Sequence, residues 1–222
     1  MLKFLKSVHW ADKLVDVFVV VLSISIAFWL NNWRENSSNT LKEKKYLLNL
    51  SEDLAKDSIE LAFKQKNIKD VFEKIQRIQY LTSIQSKVDS IPIYMGYALN
   101  YDYFIFHPED YTYKTLQQSG DISLIKSDTI RQTLSHLYDN YQMMDLLKDA
   151  GYFYQTDLIL PFNNNYDLRT GKIIDPKVYQ SPEFFNMIIY YRNTFGNYVD
   201  VTNNTFNKVC SLKKLIREEL EE

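Results

Sequence analysis

Pairs of acidic residues at helical spacing are the first candidates for chemistry in this chain. Asp53 and Asp57 form one pair, and Asp139 and Asp145 are spaced to share a second helix face. Two carboxyl groups on one face can act as general acid and base when their pKa values are driven apart. Solvated helix faces carry such pairs routinely, so we interpret both pairs as surface residues and predict no catalytic residues.

The histidines and the cysteine give no stronger signal for chemistry. His9, His107 and His136 lie far apart without metal-ligand spacing, and the single Cys210 excludes an internal disulfide and a thiolate metal cage. The segment 107–110 (HPED) groups three ionisable residues, but a proline followed by acidic residues is typical of a helix start. Phosphate-loop and nucleophile-elbow motifs are absent from the sequence. We therefore predict that the protein is not an enzyme and uses no cofactor and no metal.

The composition excludes further classes of protein. Twenty-six basic residues stand against 28 acidic ones, for a net charge of −2, so there is no basic surplus for binding nucleic acid. Only five glycines and five prolines occur in 222 residues, fewer than the turns of an all-β protein require. The composition therefore favours a helical protein that does not bind nucleic acid.

One segment is long and apolar enough to cross a lipid bilayer. Residues 14–33 read LVDVFVVVLSISIAFWLNNW, and about 20 helical residues span a hydrocarbon core of ~30 Å. Trp10 precedes the segment, and Trp29 and Trp33 lie at its far end, where indole rings sit at headgroup depth. We predict a transmembrane helix at 14–33 that follows a short basic tail at 1–13. A cleaved signal peptide and a buried helix of a soluble protein remain the alternatives.

The sequence indicates the membrane orientation of this helix less clearly than it indicates the helix itself. Lys3, Lys6 and Lys13 precede it, while Arg34 and the lysines of 42–45 follow it, so the count of positive charge barely favours either side. A short basic N-terminus before a long domain is typical of a bacterial signal anchor. We expect a single-pass protein of the bacterial inner membrane with its N-terminus in the cytoplasm and its C-terminal domain exported, and the opposite orientation stays open.

The predicted transmembrane helix has one face that differs from the rest. At 100° per residue, five residues fall within a sector of about 100°. They are Asp16, Ser23, Ala27, Asn31 and Arg34. Ser23 and Ala27 form a small-x-x-x-small pair that allows two helices to approach closely, and a carboxylate at Asp16 avoids lipid. We predict that this face contacts another helix, with chance grouping and a pore lining as alternatives.

A long amphipathic helix is predicted after a polar hinge at 34–40. The hinge contains good helix N-caps, and the helix runs over about 41–88. Two apolar rows recur every seven residues: Leu47, Leu54, Leu61, Ile68 and Ile75 in one, and Leu41, Leu48, Ala55 and Ala62 in the other. Such rows pack on another helix, either inside one bundle or in a self-associating coiled coil. The length predicts a bend or break near Asn67.

The remainder of the chain is predicted to complete an all-α extramembrane domain at 41–222. The aromatic segment from Asp89 to His107 is expected to be extended, with room for a short hairpin, and 163–177 is expected to be a loop. The helices are predicted at 108–120, from the Ser127 cap to about 160, from Pro182 for about three turns, and at 201–222. The fold class is thus a single transmembrane helix, a long helix and a helical bundle.

Two blocks of sequence carry a resemblance to a family. The first joins LNNWRE at 30–35 to the pattern YLxxLxxDLxxD at 46–57. The second is YxxLxxSGxIxLI at 113–125, followed by IxxxLxxxY at 130–138. Together they resemble an uncharacterised family of small bacterial single-span membrane proteins with a helical extramembrane domain. The resemblance implies this architecture and no established activity.

These observations predict a membrane-anchored structural or interaction protein of unknown activity. Its expected partners are the lipid bilayer and either further copies of itself or another membrane protein. The alternative is a sensor or a channel-type protein that acts through its transmembrane helix. A tail of 13 residues cannot hold an output module, so a sensor would need a separate partner.

Overall fold

A computed structural model describes residues 10–98, 101–167 and 169–221 of the chain. Of these residues 88% are helical and 2% lie in strands, which confirms the predicted all-α class. It divides into two units, Met1–Tyr46 and Leu47–Glu222, which are described separately below.

Helix α1 (Trp10–Ser83) is continuous. The predicted helix start in the hinge at 34–40 is wrong, because these residues are helical, and so is the predicted break near Asn67. The sequence contains no glycine or proline before Pro92, and Asn, Ser and Thr cost a helix no more than about 0.7 kcal/mol each. The helix ends at Ser83 rather than at Val88, because the next residue, Ile84, adopts an extended conformation.

Most of the segment that follows α1 is helical rather than extended, which corrects the prediction for 89–98 and 101–104. Residues 105–107 are neither helix nor strand, and residues 99–100 lie outside the described part of the chain. It contains a 3₁₀ helix (Gln85–Ser90), α2 (Ile91–Ala98) and a second 3₁₀ helix (Tyr101–Phe104). Pro92 lies in the first turn of α2, where a missing N–H costs little. Aromatic and β-branched residues favour strands when a neighbouring strand pairs with them. Here Ile91 and Phe104 are buried within the helical domain instead, while Ile93 is exposed.

The next two helices follow the predicted start and stop signals closely. Helix α3 (Tyr111–Ser119) starts three residues later than predicted and ends at Gly120, which has a left-handed φ of 75°. A 3₁₀ helix (Asp121–Leu124) leads to α4 (Asp128–Phe153), where the Ser127 hydroxyl accepts a hydrogen bond from the N–H of Ile130. Local capping chemistry was therefore readable from the sequence.

The predicted third helix extends beyond α4 in a modified form. A π-helix (Tyr154–Ile159) continues directly into α5 (Leu160–Asn163). The predicted loop at 163–177 contains a minimal antiparallel pair, β1 (Tyr166–Asp167) and β2 (Lys172–Ile173), in which Tyr166 pairs with Ile173. A 3₁₀ helix (Pro176–Gln180) then leads to the last element.

The two last predicted helices form one helix, α6 (Pro182–Glu221). The break predicted between them, before residue 201, is absent. A Cβ at Gly196 would lie 3.4 Å from the Phe72 ring of α1, so the glycine allows close packing between two helices. Contacts made by that packing offset the cost of about 1 kcal/mol that glycine imposes on a helix.

Helix α6 runs antiparallel to the second half of α1. Three side-chain hydrogen bonds of 2.9–3.0 Å join them, and residue numbers rise along α1 as they fall along α6. The bonds are Lys213–Ser58, Gln65–Asn203 and Arg192–Gln79. The first apolar row of α1 (Leu47, Leu54, Leu61, Ile68 and Ile75) is fully buried in this unit. That row packs inside the domain, as a bundle helix does.

Candidate functional site

The apolar segment of α1 is exposed on every side within its unit. Large side chains from Leu14 to Trp33 are between 44% and 67% exposed, and none of the apolar window is buried. Among the described residues, α1 is the one helix long and apolar enough to cross a membrane by length and composition. Soluble proteins rarely leave so large an apolar surface uncovered.

All five residues of the predicted contact face lie on this exposed part of α1. Asp16, Ser23, Ala27, Asn31 and Arg34 are each exposed. The Ser23 hydroxyl donates to the carbonyl oxygen of Val19 at 2.7 Å, so it is satisfied within its own helix. The face would therefore allow a partner helix to approach closely, but the Ser23 hydroxyl is already hydrogen-bonded within its own helix. Its role as a contact face stays a prediction.

The second unit holds a buried carboxylate that belongs to the sequence block at 46–57. Asp57 is 1% exposed, so its interpretation as a solvated surface residue is wrong. Its Oδ1 accepts the backbone N–H of Glu109 at 2.8 Å, and its Oδ2 accepts the hydroxyl of Tyr141. Asp57 thereby joins α1 to α4 and to the segment that precedes α3.

Aromatic rings surround this carboxylate. Tyr138 stacks on Tyr113 with ring centroids 3.7 Å apart, and Tyr141 meets the edge of Tyr138 at 5.0 Å. Phe106 packs against Tyr141 at 5.3 Å. The Tyr138 hydroxyl donates to the carbonyl oxygen of Glu109 at 3.4 Å. The rings shield Asp57 from water, while the Tyr141 hydroxyl and the Glu109 backbone N–H supply the polar contacts that a buried carboxylate needs.

Burial sets the protonation behaviour of the cluster. It raises the pKa of Asp57 from its usual 3.8 to about 6, and the charges of Glu109 and Glu60 add to the increase. The hydrogen bonds from Glu109 and Tyr141 act in the opposite direction. Burial and the negative charge of Asp57 raise the pKa values of Tyr138 and Tyr141, so both hydroxyls keep their protons at neutral pH. Asp57 alone in this cluster therefore titrates near pH 6.

A groove of about 510 Å³ opens beside these rings. Asp139 and Asp145, the second predicted acidic pair, are exposed and line it, as does His107. The 107–110 segment leads directly into α3, which confirms its interpretation as a helix start. Asp110 is the N-cap residue, and its carbonyl oxygen accepts the N–H of Lys114 at 3.0 Å, although its side chain makes no cap hydrogen bond. Groups of three or more His, Cys, Asp or Glu side chains able to hold a metal are not found among the described residues.

Sequence reasoning missed that Asp57, Glu109 and Tyr141 meet. One signal for Asp57 was present, because it lies three residues after Leu54 and four before Leu61, inside the buried apolar row. An acidic residue in such a row must be paired or neutral. Its partners lie 52 and 84 residues away, and only the tertiary fold brings them close.

The fold and these sites define an all-α protein with one uncovered apolar helix segment and one buried carboxylate cluster. The chain belongs to a family of unknown function (DUF6090), whose model matches residues 16–194. This membership confirms the expected resemblance to an uncharacterised family. The matched region includes the apolar segment from Asp16 onward and the complete Asp57 cluster. No curated protein and no solved structure matches the chain.

Proposed function

We propose that residues 14–33 of α1 anchor this protein in a membrane and that 47–222 serves as an interaction domain rather than an enzyme. The observation that carries the proposal is the uncovered apolar surface of α1. Twenty residues at ~1.5 Å rise cover about 30 Å, the thickness of a hydrocarbon core. A lipid bilayer accounts for both the length and the composition of this surface.

The distribution of apolar residues favours lipid over a protein partner as the main cover. A helix that packs on a single protein partner needs one apolar stripe, whereas a helix that is apolar all round is surrounded by apolar material. Phe18, Val19 and Ile24 point in directions about 100–140° apart around α1, and all are exposed. The exposed Trp29 and Trp33 at one end of the segment suit an interface with headgroups.

We further propose that the protein self-associates through the face that contains Ser23 and Ala27. Small residues four apart allow two helix backbones to approach closely, which is the main source of helix attraction in lipid. A second surface for association lies in the domain, where Leu48, Ile59 and Phe63 of α1 are 48–72% exposed. Leu48 and Ala62 of the second apolar row are exposed, and Ile59 and Phe63 lie beside that row. This side of α1 is therefore uncovered in the unit, unlike the side that carries the first row.

Membrane topology is tested by a reporter fused after Glu222 in bacteria. An intact N-terminus, resistance to alkaline extraction and reporter activity outside the cytoplasm alone support an inner-membrane anchor with an exported domain. Extraction at high pH, or a mature chain that begins within 14–33, contradicts the anchor. Reporter activity in the cytoplasm reverses the orientation and leaves the anchor in place.

Self-association is tested by the mass of the full-length protein in detergent. Ala27→Ile enlarges the proposed face, and Ser25→Ile makes a similar change about 160° away around the helix. We expect Ala27→Ile to shift the protein toward monomer and Ser25→Ile to leave its mass unchanged. Equal masses for both variants and the wild type would remove this face from the proposal.

The alternative function is a sensor or a pore that acts through the anchor. The buried Asp57 favours a sensor, because a carboxyl group that titrates near pH 6 joins three segments of the domain. Ion flux into liposomes that contain the purified protein distinguishes a pore, and an unchanged flux leaves the interaction domain as the better description.

A further inference from the structure

The groove beside the Asp57 cluster has the size and walls of a binding site. It lies between α3, α4 and the segment 106–110, and its volume of about 510 Å³ falls in the range of small-molecule sites. All of its lining residues belong to the second unit. None of them is needed for the proposed membrane anchor, so the groove can be considered independently of that proposal.

The aromatic wall of the groove is held rigidly by hydrogen bonds. The hydroxyls of Tyr141 and Tyr138 are directed to Asp57 and to the Glu109 carbonyl, and the Tyr113 hydroxyl accepts from Gln117 at 2.7 Å. These three hydroxyls thus already form hydrogen bonds within the protein. Tyr113, Tyr138 and Tyr141 are 5–8% exposed, and the rings of Tyr113 and Tyr138 stack face to face, so the wall offers a ligand a small apolar surface of ring edges.

The charges along the groove favour a positive ligand. Lys114 pairs with Asp110 at 2.6 Å, and Lys148 pairs with Asp145, so the two lysines of the lining are neutralised by neighbours. Asp139 lines the groove and forms no ion pair with any part of the chain that the structure describes. The lining thus carries three aspartates against two lysines, and Asp57 lies behind Tyr141.

We propose that this groove binds a small organic cation, an ammonium or guanidinium group on a short apolar chain. The cationic group pairs with the Asp139 carboxylate, and the apolar chain that carries it lies against the exposed edges of the tyrosine wall. The same chemistry is offered by a free polyamine and by a lysine or arginine side chain of a partner segment. The binding assay below separates these two sources.

The test is a calorimetric titration of the full-length protein in detergent at low salt. The probes are spermidine, N-acetyl-lysine methylamide and N-acetyl-arginine methylamide, with inorganic phosphate as the anionic comparison. We expect saturable binding of at least one cation and none of phosphate. Binding of spermidine alone identifies a free amine as the ligand type, whereas binding of the blocked amino acids identifies a basic side chain.

Two variants and a matched control connect the binding to this groove. Asp139→Asn removes the unpaired carboxylate and is expected to weaken binding roughly tenfold. Asp149→Asn removes an exposed carboxylate of the same helix that does not line the groove, and it should leave binding unchanged. Gln142→Trp fills the groove without changing its charge and should abolish binding. Thermal melts establish that each variant is folded.

The proposal is overturned by three results. One is the failure of all three cations to bind the folded wild-type protein. Another is phosphate binding with equal strength, which would assign the groove to Lys114 and Lys148. The third is an equal loss of binding in Asp139→Asn and Asp149→Asn, which would reveal diffuse attraction to acidic surface.

Discussion

Two leucines of the same helix illustrate how differently the two units use apolar residues. Leu22 in the first unit is 44% exposed, and Leu54 in the second is 1% exposed. The segment around Leu22 is apolar on all sides, whereas Leu54 belongs to a single row with charged residues between its members. The arrangement of apolar residues, and not their number, therefore separates a surface that stays uncovered in its unit from one that builds a core.

The same lesson applies within the second unit, where α1 carries two rows of apolar residues. The row that contains Leu54 is buried, and the neighbouring row leaves Leu48 48% exposed. Both rows repeat every seven residues, so their spacing predicts an equal ability to pack. Only the packing of α4 and α6 decides which row becomes the core.

The strongest test of the difference between the two rows is to replace one leucine of each row with alanine. Leu54→Ala is expected to lower the free energy of unfolding by about 3–4 kcal/mol, because it removes buried methyl groups and leaves a cavity. Leu48→Ala should change it by less than about 1 kcal/mol. Urea unfolding of the full-length protein in detergent, followed by circular dichroism, measures both. Similar losses would mean that the exposed row is buried in an assembly.

The second prediction concerns the buried carboxylate of the core row. With its pKa raised to about 6, folded Asp57 holds a proton more strongly than the unfolded chain between about pH 4 and 6. Its contribution to stability is thus present below about pH 4 and is lost as the pH rises through 6. The loss is on the order of 2–3 kcal/mol, since one pKa unit corresponds to about 1.4 kcal/mol.

The variant Asp57→Asn tests the predicted pH dependence of stability, because the amide keeps an acceptor for the Glu109 N–H and does not titrate. Unfolding free energies of the variant and the wild type should be compared at several values between pH 4 and 7. We expect the difference to shift in favour of the variant as the pH rises. A difference that is constant with pH would show that Asp57 is not the titrating group.

A third prediction isolates the hydroxyl that satisfies Asp57. Tyr141→Phe leaves Oδ2 of a buried carboxylate without its donor, and we expect a loss of about 2 kcal/mol at neutral pH. Tyr190→Phe is the matched control, because Tyr190 is 62% exposed on α6. Urea unfolding at pH 7.5 measures both variants, and an equal effect would argue against a special role for the buried bond.

The smallest expected effect comes from two helical glycines in contrasting surroundings. A Cβ at Gly151 of α4 would lie 2.6 Å from the Phe104 ring, so Gly151→Ala should cost about 1–2 kcal/mol. Gly96 of α2 has no atom within 4 Å of such a Cβ, and Gly96→Ala should stabilise the helix by about 0.5–1 kcal/mol. Melting temperatures that move in the same direction would contradict the close packing at Gly151.

Much of the fold could be read from local signals. The Ser127 cap and the Gly120 stop are interactions between residues at most a few positions apart, so they were predicted correctly. The predicted helix boundaries were wrong where the local preference for ending a helix was smaller than the free energy gained by continuing it. Polar residues at 34–40 and Gly196 resemble helix boundaries, yet each costs a helix about 1 kcal/mol or less, which packing or simple continuation outweighs.

The candidate sites divide in the same manner. The uncovered apolar segment follows from composition alone, because about 20 consecutive residues with few charges require an apolar environment whatever the rest of the chain does. The Asp57 cluster cannot be predicted from composition, because its groups come from positions as far apart as 57 and 141. The groove is likewise a product of how α3 and α4 pack.

The sequence by itself determined the all-α class, the apolar segment at 14–33 and the two rows of α1, since periodicity and composition act within a few helical turns. Tertiary structure alone decided which row is buried, that Asp57 is enclosed, and that Glu109 and Tyr141 satisfy it. The physical reason is that burial is a property of the surface a residue meets, and for Asp57 that surface is supplied by residues 52 and 84 positions away.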